Sequence, residues 1–552
     1  MTLDVPEVAQ LGFHFPVVNG QLPPEPPLGN IEYKLKLVPA NDTRLQHLTS
    51  QLKWRLREGL GEAIYEIGVG DDGKLVGLSD EEMEASLSTI SQMAKNLGAE
   101  ILLIQEFIHN GKRIAEVMLR QTPDDPDEFV DFRISVLGAV DSGKSTTIGV
   151  LSSGELDNGR GKARLNLFQH PHEIQTGRTS SVCREMIGFS TNGQVVNYSI
   201  SDTPEQIFQQ SFKLITFTDL AGHQKYFRST ISGLMASKPD FVMLVISGLS
   251  DCNQNTAEYL ALVAALRLPV FVVITKADCC EAARLAVVMK SLRSALEVSA
   301  LGLNTLLPVG TEDDCIGAAL RLACESVIPV FSISNVTGQN LNLLTKFLSM
   351  LPCTVAAKSR DLSTQEPAEF QIHKSYKMDG VGIVITGILM RGSISADDLL
   401  VIGPTADGQY TKARIKSIQR SHAPCKIIRT GQFAAVGLVV EDERFPIRRG
   451  MVLTDPTSAL VPCYVFSAVL RILTHTKLVS AGLQGTVHCG YIRQTAVIAH
   501  VDSQNGGVAA NPTSVGLKFI KQPECLRPGD QFIFRDGKLK AFGIVEVVVP
   551  LS

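Results

Sequence analysis

A multidomain α/β plus all-β architecture is predicted by three features of this 552-residue chain. Between residues 128 and 357 apolar runs alternate with helical stretches, the pattern of a parallel sheet covered on both faces. After Leu351-Pro352 the texture becomes short alternating strands with turn glycines, and roughly 190 residues of it suffice for two small β-barrels. Before residue 122, period-two runs and amphipathic helices describe a small α+β domain.

The N-terminal stretch, residues 1–29, holds Pro23, Pro24, Pro26 and Pro27 and no sustained period, so an unpaired, disordered tail is expected. In the α+β domain, residues 30–122, Ile31 to Leu37 alternates as a strand and Leu45, Leu48, Leu52, Trp54 and Leu56 mark a helix. A hairpin is expected next, 63–69 and 75–78 around Gly70-Asp71-Asp72-Gly73, followed by a helix over 80–96 with an acidic first turn. Strands over 100–107 and 113–120 flank His109-Asn110-Gly111, giving βαββαβ with one extra strand before the linker Pro123-Asp124-Asp125-Pro126. Parallel strands are predicted at 132–137, 214–219, 241–247, 270–275 and 330–334. The barrels are placed at 362–458 and 459–552, with strands at 370–376, 381–389 and 399–402 in the first.

A formal net charge of -4 with 20% charged residues lacks the global basic footprint of a dedicated nucleic-acid binder. Eleven cysteines without a CxxC pair give no zinc signature and read as reduced thiols. With no signal peptide and no apolar stretch long enough to span a bilayer, a cytoplasmic protein without a membrane partner is expected.

Five motifs then follow in order. Gly138-Ala139-Val140-Asp141-Ser142-Gly143-Lys144-Ser145 lies between a strand and a helix start, as a phosphate-binding loop does. Gly138, Asp141, Ser142, Gly143, Lys144, Ser145 and Thr146 are its candidate phosphate contacts, with Lys144 reaching the terminal phosphates and Ser145 offering a hydroxyl to Mg²⁺. Thr179, in Gln175-Thr176-Gly177-Arg178-Thr179-Ser180-Ser181, can close over the metal and the γ-phosphate. Asp219-Leu220-Ala221-Gly222-His223 ends a strand at the mouth of the sheet. Asp219 is a candidate metal ligand, Gly222 admits a backbone N–H to the γ-phosphate, and His223 stands where an attacking water would sit. In Thr275-Lys276-Ala277-Asp278, the Asp278 carboxylate can accept from both guanine N1–H and the exocyclic amine, a donor pair adenine lacks. Ser334-Asn335-Val336, after the last strand, can supply backbone donors to guanine O6. Thr275, Lys276, Asp278, Ser334, Asn335 and Val336 are thus the candidate guanine site, and ATP is disfavoured.

With the runs Glu155-Leu156-Asp157-Asn158-Gly159-Arg160-Gly161 and Thr176 to Ser181, these elements resemble the elongation factor Tu-type translational GTPases, and specifically the GTP-binding protein 1 and 2 family. Gly380-Val381-Gly382, Gly387 and Gly403-Pro404 look like the first barrel of such factors; Arg493-Gln494-Thr495-Ala496, Pro528-Gly529-Asp530 and Phe534 to Gly537 look like the second. The resemblance implies a P-loop GTPase that hydrolyses GTP to GDP with Mg²⁺, with His223 as the catalytic residue. Aminoacyl-tRNA and the ribosome, or RNA-decay and other protein factors, are the partners it implies.

Departures from the wider pattern carry expectations too. Ala139 and Ser142 stand where histidines are usual, Ala221 replaces a proline, and Arg178 replaces an apolar residue that gates the histidine together with the position of Val140. Thr275 replaces an asparagine, so the amide that contacts the base and bridges to the phosphate loop is expected to be lost, with weaker guanine binding. Lys412, Arg414 and Lys416 alternate on one strand, and Arg160, Lys162 and Arg164 near the first switch; both stripes suit phosphate contacts or form plain solvated faces. Cys279-Cys280 is expected to be a packed apolar pair, with thiol chemistry as the other reading. Two other functional classes stay open: a GTP-dependent protein scaffold with little turnover, and a metal- or cofactor-delivery GTPase, which would favour a Cys or His cluster.

Overall fold

The computed structural model describes residues 21–551 apart from 28, 39–40, 123–128, 169, 177–178, 300, 302–303, 323–326, 354–358, 361, 379–381, 443, 459, 474–478, 502–512 and 538. The expected linker at 123–126, Arg178, Gly380 and Val381, and residues 1–20 of the proline-rich segment therefore lie outside the described residues.

The first layer comprises β1 (Ile31–Lys34), α1 (Asp42–Glu58), β2 (Glu62–Ile67), α2 (Asp80–Asn96), β3 (Ala99–His109) and β4 (Lys112–Gln121), with sheet order β1-β2-β4-β3. Strands β1 and β2 run parallel, and α1 makes the crossover that parallel pairing requires. Asn41 caps α1 by accepting from the Arg44 N–H, and Ser79 with Glu82 forms a reciprocal capping box on α2.

Two expectations change here. Residues 75–78 form no strand: Val76 and Gly77 both donate their N–H to Gly68 O, a turn rather than a ladder, and only isolated bridges Val69–Leu75 and Leu78–Arg113 remain. The order is βαβαββ. Nor is residue 21 onward an unpaired tail, since Gln21 bridges to Lys74, Leu22 is buried and Glu25 pairs with Arg55. An apolar side chain beside an open sheet face gains more by packing than the short proline-rich stretch loses by ordering.

This layer is locked to the next by ions. Glu62 faces both Arg120 and Lys213 at 2.9 Å. Arg120 also donates to Ser349 O at 2.5 Å, and Lys213 to Ser349 O at 2.9 Å and Leu351 O at 2.8 Å. All three side chains are buried. Burial brings Lys213 down to about 8 despite the neighbouring Glu62, while Lys213 and Arg120 outweigh burial and hold the Glu62 carboxyl below its usual range. Removing Glu62 leaves two buried cations with no carboxylate among the described residues, facing carbonyls and the rings of Phe212 and Phe132, so Glu62→Ala is expected to lower stability by about 3–5 kcal/mol in urea unfolding.

The second domain contains β5 (Val130–Gly138), α3 (Lys144–Ser153), α4 (Pro171–Thr176), β6 (Cys183–Phe189), β7 (Val195–Val196), α5 (Pro204–Gln210), β8 (Lys213–Asp219), α6 (Phe227–Ser237), β9 (Phe241–Ser247), α7 (Gln254–Ala265), β10 (Val270–Thr275), α8 (Ala282–Val298), β11 (Thr305–Val309), α9 (Glu312–Arg321), β12 (Val327–Ser332) and α10 (Leu341–Met350). Its sheet order is β11-β12-β10-β9-β5-β8-β6-β7. The five expected strands form its parallel core together with β11, which pairs parallel to β12, but β6 and β7 add an antiparallel edge, so the sheet is mixed rather than parallel. Strand β5 sits between β8 and β9, which leave it in opposite directions, and the crevice beyond its C-terminal end is where open α/β sheets bind ligands.

Two six-stranded barrels follow. In the first, Leu399–Gly403, Val452–Thr454, Glu369–Met378, Gly382–Arg391, Phe433–Val440 and Thr411–Arg420 pair in a ring that closes back on Leu399–Gly403. The second closes in the order Cys463–Ile472, Thr513–Phe519, Ile492–Val501, Gln484–Cys489, Gln531–Asp536 and Leu539–Pro550. The first barrel is tied to the α/β domain by Arg133, which donates to Gly431 O at 3.2 Å, while Arg360, ahead of that barrel, pairs with buried Asp240. Both barrels reach α6: Arg449 of the first donates to Ser232 Oγ at 2.7 Å, and Lys540 Nζ of the second lies 4.1 Å from the Phe227 ring centre. No described helix is long and apolar enough to cross a membrane.

Candidate functional site

The loop after β5 curls because three of its residues take left-handed backbone angles: Gly138 at φ +152°, Asp141 at +58° and Gly143 at +92°. A Cβ at Gly138 would sit 2.2 Å from Val245 O, so only glycine fits there. Lys144 is buried and donates to the loop's own carbonyls, Gly138 O at 3.1 Å and Ala139 O at 2.7 Å. Burial pushes its ammonium below the ordinary lysine value, with the Asp219 and Asp141 charges opposing. Ser142 Oγ is buried without a hydrogen-bond partner, and Thr146 opens α3 on the same small pocket as Lys144. Gly222 faces Lys144 across it: a Cβ there would meet Lys144 Nζ at 2.5 Å and Gly138 O at 2.6 Å.

Three oxygen-bearing residues from separate segments converge beside the lysine. Ser145 Oγ lies 2.6 Å from Asp219 Oδ2 and 2.8 Å from Thr179 Oγ1, and Thr179 Oγ1 donates to Asp219 Oδ2 at 3.4 Å. Asp219 is 1% exposed, yet its Oδ1 has no hydrogen-bond partner among the described residues. A buried carboxylate oxygen left open needs a counterpart. Two hydroxyls and a carboxylate are the hard oxygen donors that suit a small divalent cation such as Mg²⁺. Burial raises Asp219 above its ordinary value, with the Lys144 charge the largest opposing influence.

Thr179 owes its position to a residue the sequence reading did not single out. Glu173 is fully buried, and its Oε1 accepts from the N–H groups of Ser180 and Ser181 at 2.6 and 2.8 Å and from both hydroxyls at 2.9 Å. Burial alone would raise this carboxyl, but those donors hold it at about 2. Its only sequence signal is a carboxylate in a polar connection. Glu173→Ala is expected to make the segment around Thr179 about tenfold more susceptible to limited proteolysis, with the melting temperature of the whole chain little changed.

His223 is half-buried and lines the pocket with Gly222 and Thr179. Its Nδ1 accepts from the Lys225 N–H at 3.0 Å, which leaves the ring proton on Nε2.

On the base side, Thr275 is fully buried and its hydroxyl donates to Ser142 O at 2.7 Å. The bridge to the phosphate loop expected to be lost with the asparagine is therefore made by a hydroxyl instead. Lys276, at φ +60°, reaches Asp141 O at 3.0 Å. Asp278 is exposed, and the Ser334 hydroxyl beside it holds its carboxyl below the usual range. Ser334 Oγ also accepts from the N–H groups of Val336 and Thr337, and the Val336 side chain is exposed. Asn335 points elsewhere: its amide donates to Thr147 Oγ1 at 2.9 Å on α3. Cys279 is exposed rather than packed, with its thiol 3.3 Å from Asp278 Oδ2.

The two cationic stripes separate. Lys412, Arg414 and Lys416 stand exposed on the first barrel while Ala413 and Ile415 face its core. Of the other stripe, Arg160 and Lys162 are exposed, but Arg164 is partly buried and lines the phosphate-loop pocket.

A family model, the Elongation factor Tu GTP binding domain, matches residues 132–353. Over 537 residues the chain is 44% identical to GTP-binding protein 2 of Mus musculus, covering 96% of this chain and 89% of that relative. The chain belongs to the GTP-binding protein 1 and 2 family. GTP-binding protein 1 of Xenopus laevis is 41% identical over 520 residues, covering 94% of this chain and 78% of the relative. Among solved structures, the GTP-bound Ski7 GTPase-like domain of S. cerevisiae matches with TM-score 0.56 at 14% identity, covering 75% of this chain and 97% of that one. A bacterial selenocysteine-specific elongation factor, EF-Sec, matches with TM-score 0.54 at 18% identity, covering 76% and 58%. The family thus has the elongation factor Tu-like fold, with a mixed-sheet core and two six-stranded barrels.

Proposed function

We propose that this chain binds GTP and GDP, hydrolyses GTP to GDP and phosphate with Mg²⁺, and works as a switch with tRNA or ribosomes, in translation or RNA surveillance. The observation that carries this reading is the convergence of Ser145, Thr179 and Asp219 beside the Lys144 loop, with Asp219 Oδ1 open. Those three residues would hold Mg²⁺, which when bound neutralises charge on the phosphate oxygens. The Lys144 ammonium exchanges loop carbonyls for phosphate oxygens, and the N–H groups from Asp141 to Thr146 cradle the chain of phosphates. Gly222 leaves room for the terminal phosphate beside Lys144. Asp278, with Ser334 behind it, reads guanine, while Thr275 and Asn335 support the loop and α3.

His223 positions a water for in-line attack. The water oxygen bonds to the γ-phosphorus, the bridging bond to the β-phosphate breaks, GDP leaves with that electron pair, and the water proton departs with phosphate or solvent. Catalysis here is positioning and charge neutralisation, so unaided turnover is slow. Because α6 begins four residues after His223 and touches the first barrel at Ser232 and the second at Phe227, rearrangement at the γ-phosphate has a rigid path to the barrels. Similarity to elongation factors and the exposed Lys412, Arg414 and Lys416 row support an RNA-bearing partner.

Competition binding with a fluorescent guanine nucleotide tests the nucleotide reading. GTP and GDP are expected to displace the probe, ATP is not, and chelating Mg²⁺ should speed release of GTP. Equal displacement by ATP would overturn it.

A further inference from the structure

Arg164 belongs to a segment whose construction has no use in the mechanism described so far. The connection from Leu156 to Leu167 is organised on Asp157, 7% exposed, whose carboxylate accepts from the N–H groups of Gly159 at 2.9 Å, Gly161 at 3.1 Å and Ala163 at 3.0 Å. The Asp157 N–H in turn donates to Asn335 O at 2.8 Å, which fixes this segment to the base-side loop. The short 3₁₀ turn Lys162–Leu167 is pressed onto α3: a Cβ at Gly149 would sit 2.0 Å from Ala163 O, and Leu167 packs against the same glycine. Such a frame leaves little freedom at residue 164.

What the frame delivers is a guanidinium. Arg164 lies back over Gly161, where a Cβ would meet its Nε at 2.5 Å, with the Phe168 ring centre 5.9 Å from its Cζ. It forms no ion pair among the described residues, and it lines the pocket that also holds Lys144, Thr179, Gly222 and His223. A planar donor fork with no carboxylate partner, aimed into a cavity already built for phosphate, matches the bidentate geometry of phosphate oxygens.

We propose that Arg164 is a second cationic ligand of the nucleotide, contacting the terminal phosphate of GTP from within the same chain. This rests on the reading of the pocket as a GTP site. Its neighbours Thr179, Gly222 and His223 are the residues assigned to the γ-phosphate end, so the contact discriminates GTP from GDP. A cation placed there also offsets charge that develops on the transferring group.

The test uses the full chain and two fluorescent probes, a non-hydrolysable GTP analogue and GDP, titrated against wild type, Arg164→Ala and Arg164→Lys. Loss of a charge-assisted fork is expected to weaken the analogue at least tenfold in Arg164→Ala, with GDP changed by less than about twofold. Arg164→Lys should fall between, since it keeps the charge and loses the fork. Melting curves that match wild type tie the effect to the contact. Analogue affinity unchanged in Arg164→Ala, or lost equally for both probes, overturns the assignment. A wild-type chain that binds neither probe would instead overturn the GTP reading itself.

Discussion

Replacing His223 with alanine is expected to leave GTP and GDP affinities within about twofold of wild type while lowering stimulated GTP hydrolysis by roughly two orders of magnitude or more. The two effects separate because nothing in the geometry makes the imidazole a structural element. It is half-buried, its Nδ1 is met only by the Lys225 N–H, and α6 begins beyond it. The phosphate grip lies in the loop, Lys144 and the Ser145, Thr179 and Asp219 cluster, none of which depends on the ring. Glutamine, which can also hold a water but in a different direction, should recover little. A His223→Ala chain that hydrolyses GTP at the wild-type stimulated rate would remove the histidine from the mechanism.

Asp278→Asn is expected to move the base preference from guanine to xanthine. In the proposed site the wild-type carboxylate would accept from N1–H and the exocyclic amine; an amide presents a donor where the amine also donates, but can pair with the extra carbonyl of xanthine. Leaving a polar site unpaired costs several orders of magnitude in discrimination, so GTP affinity should fall by about 10³-fold or more and xanthosine triphosphate should bind in its place. Asp278 is exposed and lies outside the core, so the substitution should not disturb folding. The Ser334 hydroxyl that lowers the Asp278 carboxyl is fully buried, and Ser334→Ala should weaken guanine binding more modestly. Unchanged GTP preference for Asp278→Asn in a competition assay would contradict the assignment.

Much of this was legible in the chain because the relevant physics is local. Five buried parallel strands read as continuous apolar runs, and every site motif but the Thr179 segment sits at or just beyond the C-terminal end of one, where the sheet's topology must place it. What escaped depends on partners far away in sequence. Strand β6 carries Arg184 and Glu185 among its apolar residues and is defined only by pairing with β8, so its composition gives no clean period. Residues 75–78 have strand-like composition, but Val76 and Gly77 spend their N–H groups on Gly68 O. Thr275 looked like a loss because its hydroxyl's target, Ser142 O, is 133 residues away. Glu173 lies in a polar connection where sequence pattern is mute, and only folding shows it gathering the donors of Ser180 and Ser181; of the cationic stripe Arg160, Lys162 and Arg164, folding alone shows that Arg164 lines the pocket. The Asn335 side chain also holds α3, donating to Thr147 Oγ1 188 residues away, a partner no local pattern reveals.

Hydrolysis of GTP by the purified full chain, measured with and without ribosomes and aminoacyl-tRNA, bears most directly on the whole reading. Slow turnover alone and stimulation of at least about tenfold by one of these additions is the predicted result. GTP that is bound but not hydrolysed under any of these conditions would contradict it, and would leave a nucleotide-dependent protein scaffold as the better description.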